Sequence, residues 1–301
     1  MLRVSAMKRF KRILVVWNKE TPVTALFSWS RQLAEASSAQ GVDGLWCRDA
    51  MIPEYPRAGA SSDGVDRGGD ALLAAMEGLP VQVIVEEGDP LRATLKRLAD
   101  GSYDLVIVSA HDTASRNLAE RIARKSPVGV LVLPPGATVP PEIVRLGVDL
   151  SDISALCLDW AEAFATLKPE GGADLEVVHV MERPQGGRAT LVLDSDSIYD
   201  QMAEIAGDQL AEFIAKHSRD PEKWGHVLLE NQSASEVLMR RVGDPASELT
   251  VVGCHGRNAL SIALLGSHAC DMVRRCESPV LVVKSGNQNL GFLRQLLGEE
   301  G

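Results

Sequence analysis

The chain lacks any apolar run approaching the roughly 20 residues that a membrane-spanning helix requires. It also lacks a surplus of basic charge: 31 Lys and Arg stand against 41 Asp and Glu, a net charge of −10. A diffuse acidic balance opposes binding to a nucleic-acid backbone or an anionic membrane, since both demand clustered cations. Cysteine is sparse and odd in number. Cys47, Cys157, Cys254, Cys270 and Cys276 are scattered, which fits buried reduced thiols better than a disulfide framework. The basic start runs into the apolar stretch ILVVW, only five residues before Asn18, too short for the core of a signal peptide. A cytoplasmic location is therefore expected.

Several chemical signatures are missing too. No G-x4-G-K-[ST] phosphate loop occurs, and no G-x-G-x-x-G follows a first strand. The H-I-G-H and S-G-G-x-D-S signatures of nucleotidyl-transfer enzymes are absent. No Ser-His-Asp order or acid pair is supported by its context, so no catalytic residue is assigned. Cys254, His255, His268 and Cys270 cluster, but their spacing matches no zinc pattern, and no metal ligand is assigned. Of these, only Cys254 is expected to have a lowered thiol pKa, from a nearby helix N-terminus. His179, in the alternating run LEVVHV, reads as a core or crevice-lining residue.

What the sequence does contain is one unit written twice. RILVVWNKETPVTALFSWSRQLA (12–34) matches IVRLGVDLSDISALCLDWAEAFA (143–165), with Asn18 on Asp149 and Trp29 on Trp160. The ends match as well, SYDLVIVS…KSPVGVLVLP against ASELTVVG…ESPVLVVKS. A proline-rich linker, PPGATVPPE (134–142), joins the halves. Each half alternates β and α from β to β, with strands such as DLVIVS apolar throughout. That pattern predicts two tandem doubly wound α/β domains, residues 7–136 and 142–286, each a five-stranded parallel sheet covered on both faces. The expected strand order is 3-2-1-4-5, the expected relation a pseudo-twofold, and each half is expected to own its sheet.

In such sheets ligands bind beyond the carboxyl ends of the strands where the order reverses. In the second half that crevice lies between strands ending at Val148-Asp149 and at Val252-Gly253. GCHGRNALSIALLGS begins there, with Gly253, Gly256, Gly266 and Ser267 in the spacing G-x2-G-x9-G-S. Glycines admit a ligand close to the backbone, and Ser267 is placed to cap the next helix and aim free N–H groups at an anion. Arg257 adds a cation. Read without context, the same spacing also serves a plain strand-to-helix connection. Asp149 has two readings as well: an acceptor for a ribose hydroxyl or base amino group, or a cap for the helix beginning near Ser151.

These residues resemble the universal stress protein family. Its nucleotide-binding branch carries G-x2-G-x9-G-[ST], matched at Gly253, Gly256, Gly266 and Ser267. VDLSDISAL resembles the family's first loop, which puts Val148 and Asp149 at adenine and ribose. LEVVHVMERP resembles its second strand, which makes Val180 the adenine-recognising position. The resemblance covers nearly the whole chain and points to the tandem type, with an adenine-nucleotide alpha-hydrolase-like fold. It implies a stress-responsive protein that binds ATP, and it implies that the fifth strands GVLVL and PVLVV meet. Two positions depart from the pattern: Ala269 replaces a second hydroxyl, and His268 replaces a small apolar residue.

The halves differ. From Ser109 to Pro127 is 18 steps, whereas Gly253 to Pro279 is 26, so the first half lacks eight residues and the loop's glycines. Asn18 stands for Asp149. The expectation is one adenine nucleotide per chain, held by the second half only, with a non-binding scaffold or a slow ATPase as the other readings. Loops at 58–69 and 183–197 and a short tail helix at 289–301 are also expected, the second loop placed to fold over the crevice.

Overall fold

The computed structural model describes residues 9–48, 67–99, 102–181, 195–230, 234–240, 244–254 and 265–285. The first half runs β1 (Arg12–Trp17), α1 (Val23–Ser37), β2 (Gly41–Arg48), α2 (Arg67–Ala75), β3 (Val81–Glu87), α3 (Pro90–Ala99), β4 (Leu105–Ser109), α4 (Thr113–Lys125) and β5 (Gly129–Leu133). The second repeats this order: β6 (Ile143–Val148), α5 (Asp152–Ala165), β7 (Asp174–Met181), α6 (Ser195–His217), β8 (Trp224–Glu230), α7 (Ala234–Arg240), β9 (Glu248–Gly253), α8 (Ser267–Arg275) and β10 (Val280–Val283). The loop parts at 58–66 and 183–194 and the tail lie outside the described residues.

The ten strands among the described residues form one sheet, ordered β3-β2-β1-β4-β5-β10-β9-β6-β7-β8. Read from either edge, the order within a half is 3-2-1-4-5, as the alternating pattern predicts. Pairing within each half is parallel; β5 and β10 pair antiparallel, Leu131 opposite Leu281. Here the expectation of separate sheets is corrected. The meeting of the fifth strands is what fuses the two repeats into one sheet, so a shared sheet and a duplicated unit are compatible.

Burial explains the strand compositions. β4, β5 and β10 are buried at every position, because helices cover both faces and neighbours flank both sides. β3, at one end, alternates instead, and Val85 is exposed. Side chains alternate between two cores. Ile13, Val15 and Trp17 enter one core with Leu26, Trp29, Leu72, Trp160 and Phe164. Leu14 and Val16 enter the other with Leu91, Ile122, Leu238 and Met272. Corresponding helices thus lie on the same face in both halves, the relation of a twofold perpendicular to the sheet. Because β5 and β10 are antiparallel, the carboxyl ends of the two halves point to opposite edges.

Both cores cross the junction between halves. Phe10 packs edge-on to Trp160, ring centroids 5.0 Å apart, and Trp29 lies against Phe164. Gly129 permits this: a Cβ there would sit 2.6 Å from the Trp160 ring. On the other face, the Arg116 guanidinium of α4 donates to Cys276 O at 2.8 Å, and Arg274 of α8 donates to Glu120 at 3.1 Å. The linker is tied down as well, Thr138 N–H to Ala246 O and Glu142 N–H to Ser247 O, each 2.7 Å.

Candidate functional site

The reversal point of the second half lies between β6 and β9. Their last registered pair is Leu146 with Val251, and Val148 and Gly253 each lie two residues beyond it. The two strand ends therefore leave the ladder side by side. On the other side of β6, Val148 faces His179 of β7, whose Nδ1 lies 2.8 Å from Val148 O. That bond holds the imidazole at the crevice edge, with Val180 next along the strand and partly buried.

Asp149 follows β6 in a tight turn, with Leu150 at φ 63°. Its Oδ1 accepts from the Ser151 N–H at 3.1 Å, the Ser154 hydroxyl at 2.7 Å and the Ser151 hydroxyl. These bonds show the helix-entry reading of this residue. The carboxylate organises the entry to α5, and the same bonds fix its position at the crevice.

Beyond β9 the chain leaves at Cys254, whose N–H donates to Val283 O at 3.0 Å. It returns at Gly266, whose N–H donates to Cys254 O at 2.7 Å. Gly253, Gly266 and Ser267 are thus brought together, while Gly256 and Arg257 lie outside the described residues. One expectation is corrected. Gly266, not Ser267, is the N-cap of α8: it has extended dihedrals (φ −59°, ψ 153°), and its carbonyl accepts the first helical bond, from Cys270 N–H at 3.0 Å. Ser267 is already the first helical residue, and its side chain is exposed. A glycine cap brings no side-chain acceptor, and among the described residues no side chain caps α8. The positive end of the helix dipole therefore lies beside Ser267.

The first half treats the matching helix differently. Asp112 caps α4: its Oδ1 accepts the Ser115 N–H at 2.7 Å, and Ser115 Oγ accepts the Asp112 N–H at 2.8 Å. These bonds from Ser115 hold the Asp112 carboxyl below its ordinary range. An internal carboxylate sits where an external anion would bind. Sequence reasoning passed over this box, although D-x-x-S ahead of a helix is a readable signal. A crevice of about 250 Å³ remains beside it, lined by Asn18, Thr21, Ser109, His111 and Arg121 among others. Asn18 Oδ1 accepts from Glu20 N–H at 3.0 Å, repeating the turn that Asp149 makes.

All five cysteines are buried thiols. The lowered pKa expected for Cys254 is corrected: burial raises it, and the attraction of Lys284 offsets this only in part. Lys284 is the residue near the loop that sequence reasoning missed. It follows an apolar strand where a solvated lysine is the ordinary expectation, yet it is 3% exposed.

Residues 142–284 match the model of the universal stress protein family. A universal stress protein of Methanocaldococcus jannaschii is 27% identical over 146 residues, covering 47% of this chain and 81% of that protein. Among solved structures, a functionally unknown protein of Pseudomonas aeruginosa PAO1 superposes with a TM-score of 0.69 at 18% identity, covering 98% of this chain and 99% of its own. A protein of Pseudomonas aeruginosa UCBPP-PA14, provisionally named a universal stress protein, gives 0.70 at 19% identity, covering 97% and 99%. At these identities the likeness is one of fold. Residues 142–284 are thus similar to the universal stress protein family, and the likeness of fold extends over both halves.

Proposed function

We propose that the crevice at the ends of β6 and β9 binds an adenine nucleotide, ATP or a close relative, and that the second half alone does so. The observation that carries this reading is the closure of Gly266 N–H on Cys254 O, which sets a glycine-capped helix N-terminus beside the reversal point. Backbone N–H groups around Gly253, Gly256, Gly266 and Ser267 hold the phosphates, the Gly266 N–H itself being spent on Cys254 O, and Arg257 adds charge. Val148, Asp149 and Val180 hold the nucleoside, Asp149 accepting from it. The donors and acceptors fit such a ligand end to end: an oriented carboxylate at one side, a helix N-terminus at the other. The first half is closed to phosphate by the Asp112 carboxylate on α4.

The division into a 7–136 unit and a 142–286 unit, a cytoplasmic location and a role in stress responses belong to the same proposal. Among the described residues no helix is long and apolar enough to cross a membrane. The test is mass spectrometry of small molecules released from the purified protein, followed by titration with ATP and adenosine. An adenine nucleotide recovered from wild type and lost on Gly266→Val supports the reading. No recovered nucleotide, and no heat on titration with ATP, contradicts it.

A further inference from the structure

Lys284 continues β10 past Val283. Val280 and Val282 point into the core beneath α4 and α8, and strand alternation sends the Lys284 side chain to the same face. Val283 pairs with Gly253, so Lys284 sits beside Cys254, where the loop leaves the sheet. Its Nζ is buried and has no hydrogen-bond partner among the described residues. Among the described residues, the titratable and charged groups around it are the Cys254 thiol just past β9, the Cys270 thiol in the first turn of α8, and the Arg124 guanidinium on α4. None of these is an anion at neutral pH, because burial pushes both thiols up. Glu120, the carboxylate of this cluster, is bound by Arg124 and by Arg274. A buried ammonium without a counter-charge is costly, and such groups are either paired or neutral. Burial accordingly lowers the Lys284 pKa.

We infer that Lys284 is the counter-ion for an anionic group bound at the first turn of α8, seated between Cys254 and the Gly266-Ser267 start of the helix. For the identity of that anion, a phosphate of the nucleotide, this rests on the function proposed above. The inference adds a role that the exposed glycine and serine groups do not fill: a full positive charge below the site, set on the sheet rather than on the loop. Its cost in the ligand-free protein is offset when the anion arrives, so the contribution of Lys284 to affinity depends on the charge of the ligand and not on its base.

The test uses the full chain and three probes measured by calorimetry: ATP, adenosine and inorganic tripolyphosphate. Lys284→Met keeps the length of the side chain and removes the charge. Its thermal unfolding midpoint without ligand should match or exceed that of wild type. ATP and tripolyphosphate should each bind about 10- to 100-fold more weakly, the range for losing a charged hydrogen bond, while adenosine is unchanged. Tripolyphosphate binding that depends on Lys284 in a protein that ignores ATP and adenosine would uphold the counter-ion and overturn the nucleotide. The inference is overturned if wild type does not bind tripolyphosphate. It is also overturned if Lys284→Met leaves ATP and tripolyphosphate unaffected, or weakens adenosine equally.

Discussion

Asp149 and Asn18 occupy the same place in the two repeats and make the same local turn, each accepting the N–H two residues on through Oδ1. The turn itself therefore needs an oxygen and not a charge. The charge at Asp149 is what the second half adds, and a ligand is a reason to keep it there. Asp149→Asn should preserve the fold and the turn, while Asp149→Ala should weaken ATP and adenosine alike, by about 1.5–3 kcal/mol if a charged hydrogen bond is lost. Ser267→Ala should weaken ATP and spare adenosine. Equal weakening of adenosine in titrations of that variant would contradict the assignment of Ser267 to the phosphates. The thiols give a separate check. Burial pushes Cys47 up to about 12 and Cys276 to about 11, and raises Cys157 and Cys254 as well. At pH 8 these groups stay protonated and enclosed, so a disulfide thiol reagent should titrate almost none of them until denaturant is added. Rapid labelling of Cys254 in the native protein would show the loop base to be open.

At the scale of single elements, the two helices beside the fifth strands carry the asymmetry between halves. α4 is capped by its own carboxylate, and α8 begins at a glycine. Asp112→Ala should cost about 0.5–2 kcal/mol, as lost N-caps do, measurable by chemical denaturation. The sign with pH follows from the lowered Asp112 pKa. The cap's contribution is complete above the unfolded value near 3.8 and fades as pH falls through the lower folded value. Wild type should thus lose this increment in acid, and the Asp112→Ala variant should not. Gly266 has dihedrals open to any residue, so Gly266→Val should fold normally and still abolish ATP binding by filling the approach. Gly129 behaves in the opposite way. Its missing Cβ makes room for the Trp160 ring, and Gly129→Ala should destabilise by about 1–3 kcal/mol through overpacking. The strands, their order and the paired tryptophans were legible in the sequence, because apolar runs and a repeated pattern report burial directly. The cap of α8 was not. Serine is the commoner N-cap, and only the dihedrals show that the glycine before it takes the role.

For the molecule as a whole, the decisive contact is β5 with β10, which makes ten strands one sheet. Sequence repetition revealed two units, and the family resemblance, not any periodicity of the strands, pointed to the meeting of the fifth strands; that this meeting makes one sheet is seen only in the structure. The burial of Lys284 was equally hidden: a lysine after VLVV reads as solvated, and only packing of α4 and α8 over the strand end encloses it. Cut out alone, residues 142–286 would expose the wholly apolar β10 as an edge, and such edges recruit partners. That fragment should self-associate by light scattering, and a stable monomer would contradict the account of the junction. The central claim is that one crevice per chain accepts the nucleotide, although the fold supplies two. Isothermal titration of the full chain with ATP tests it most directly. The account predicts one ATP per chain, abolished by Gly266→Val and retained on Asp112→Ala; two equivalent sites per chain, or a site that survives Gly266→Val, would contradict it.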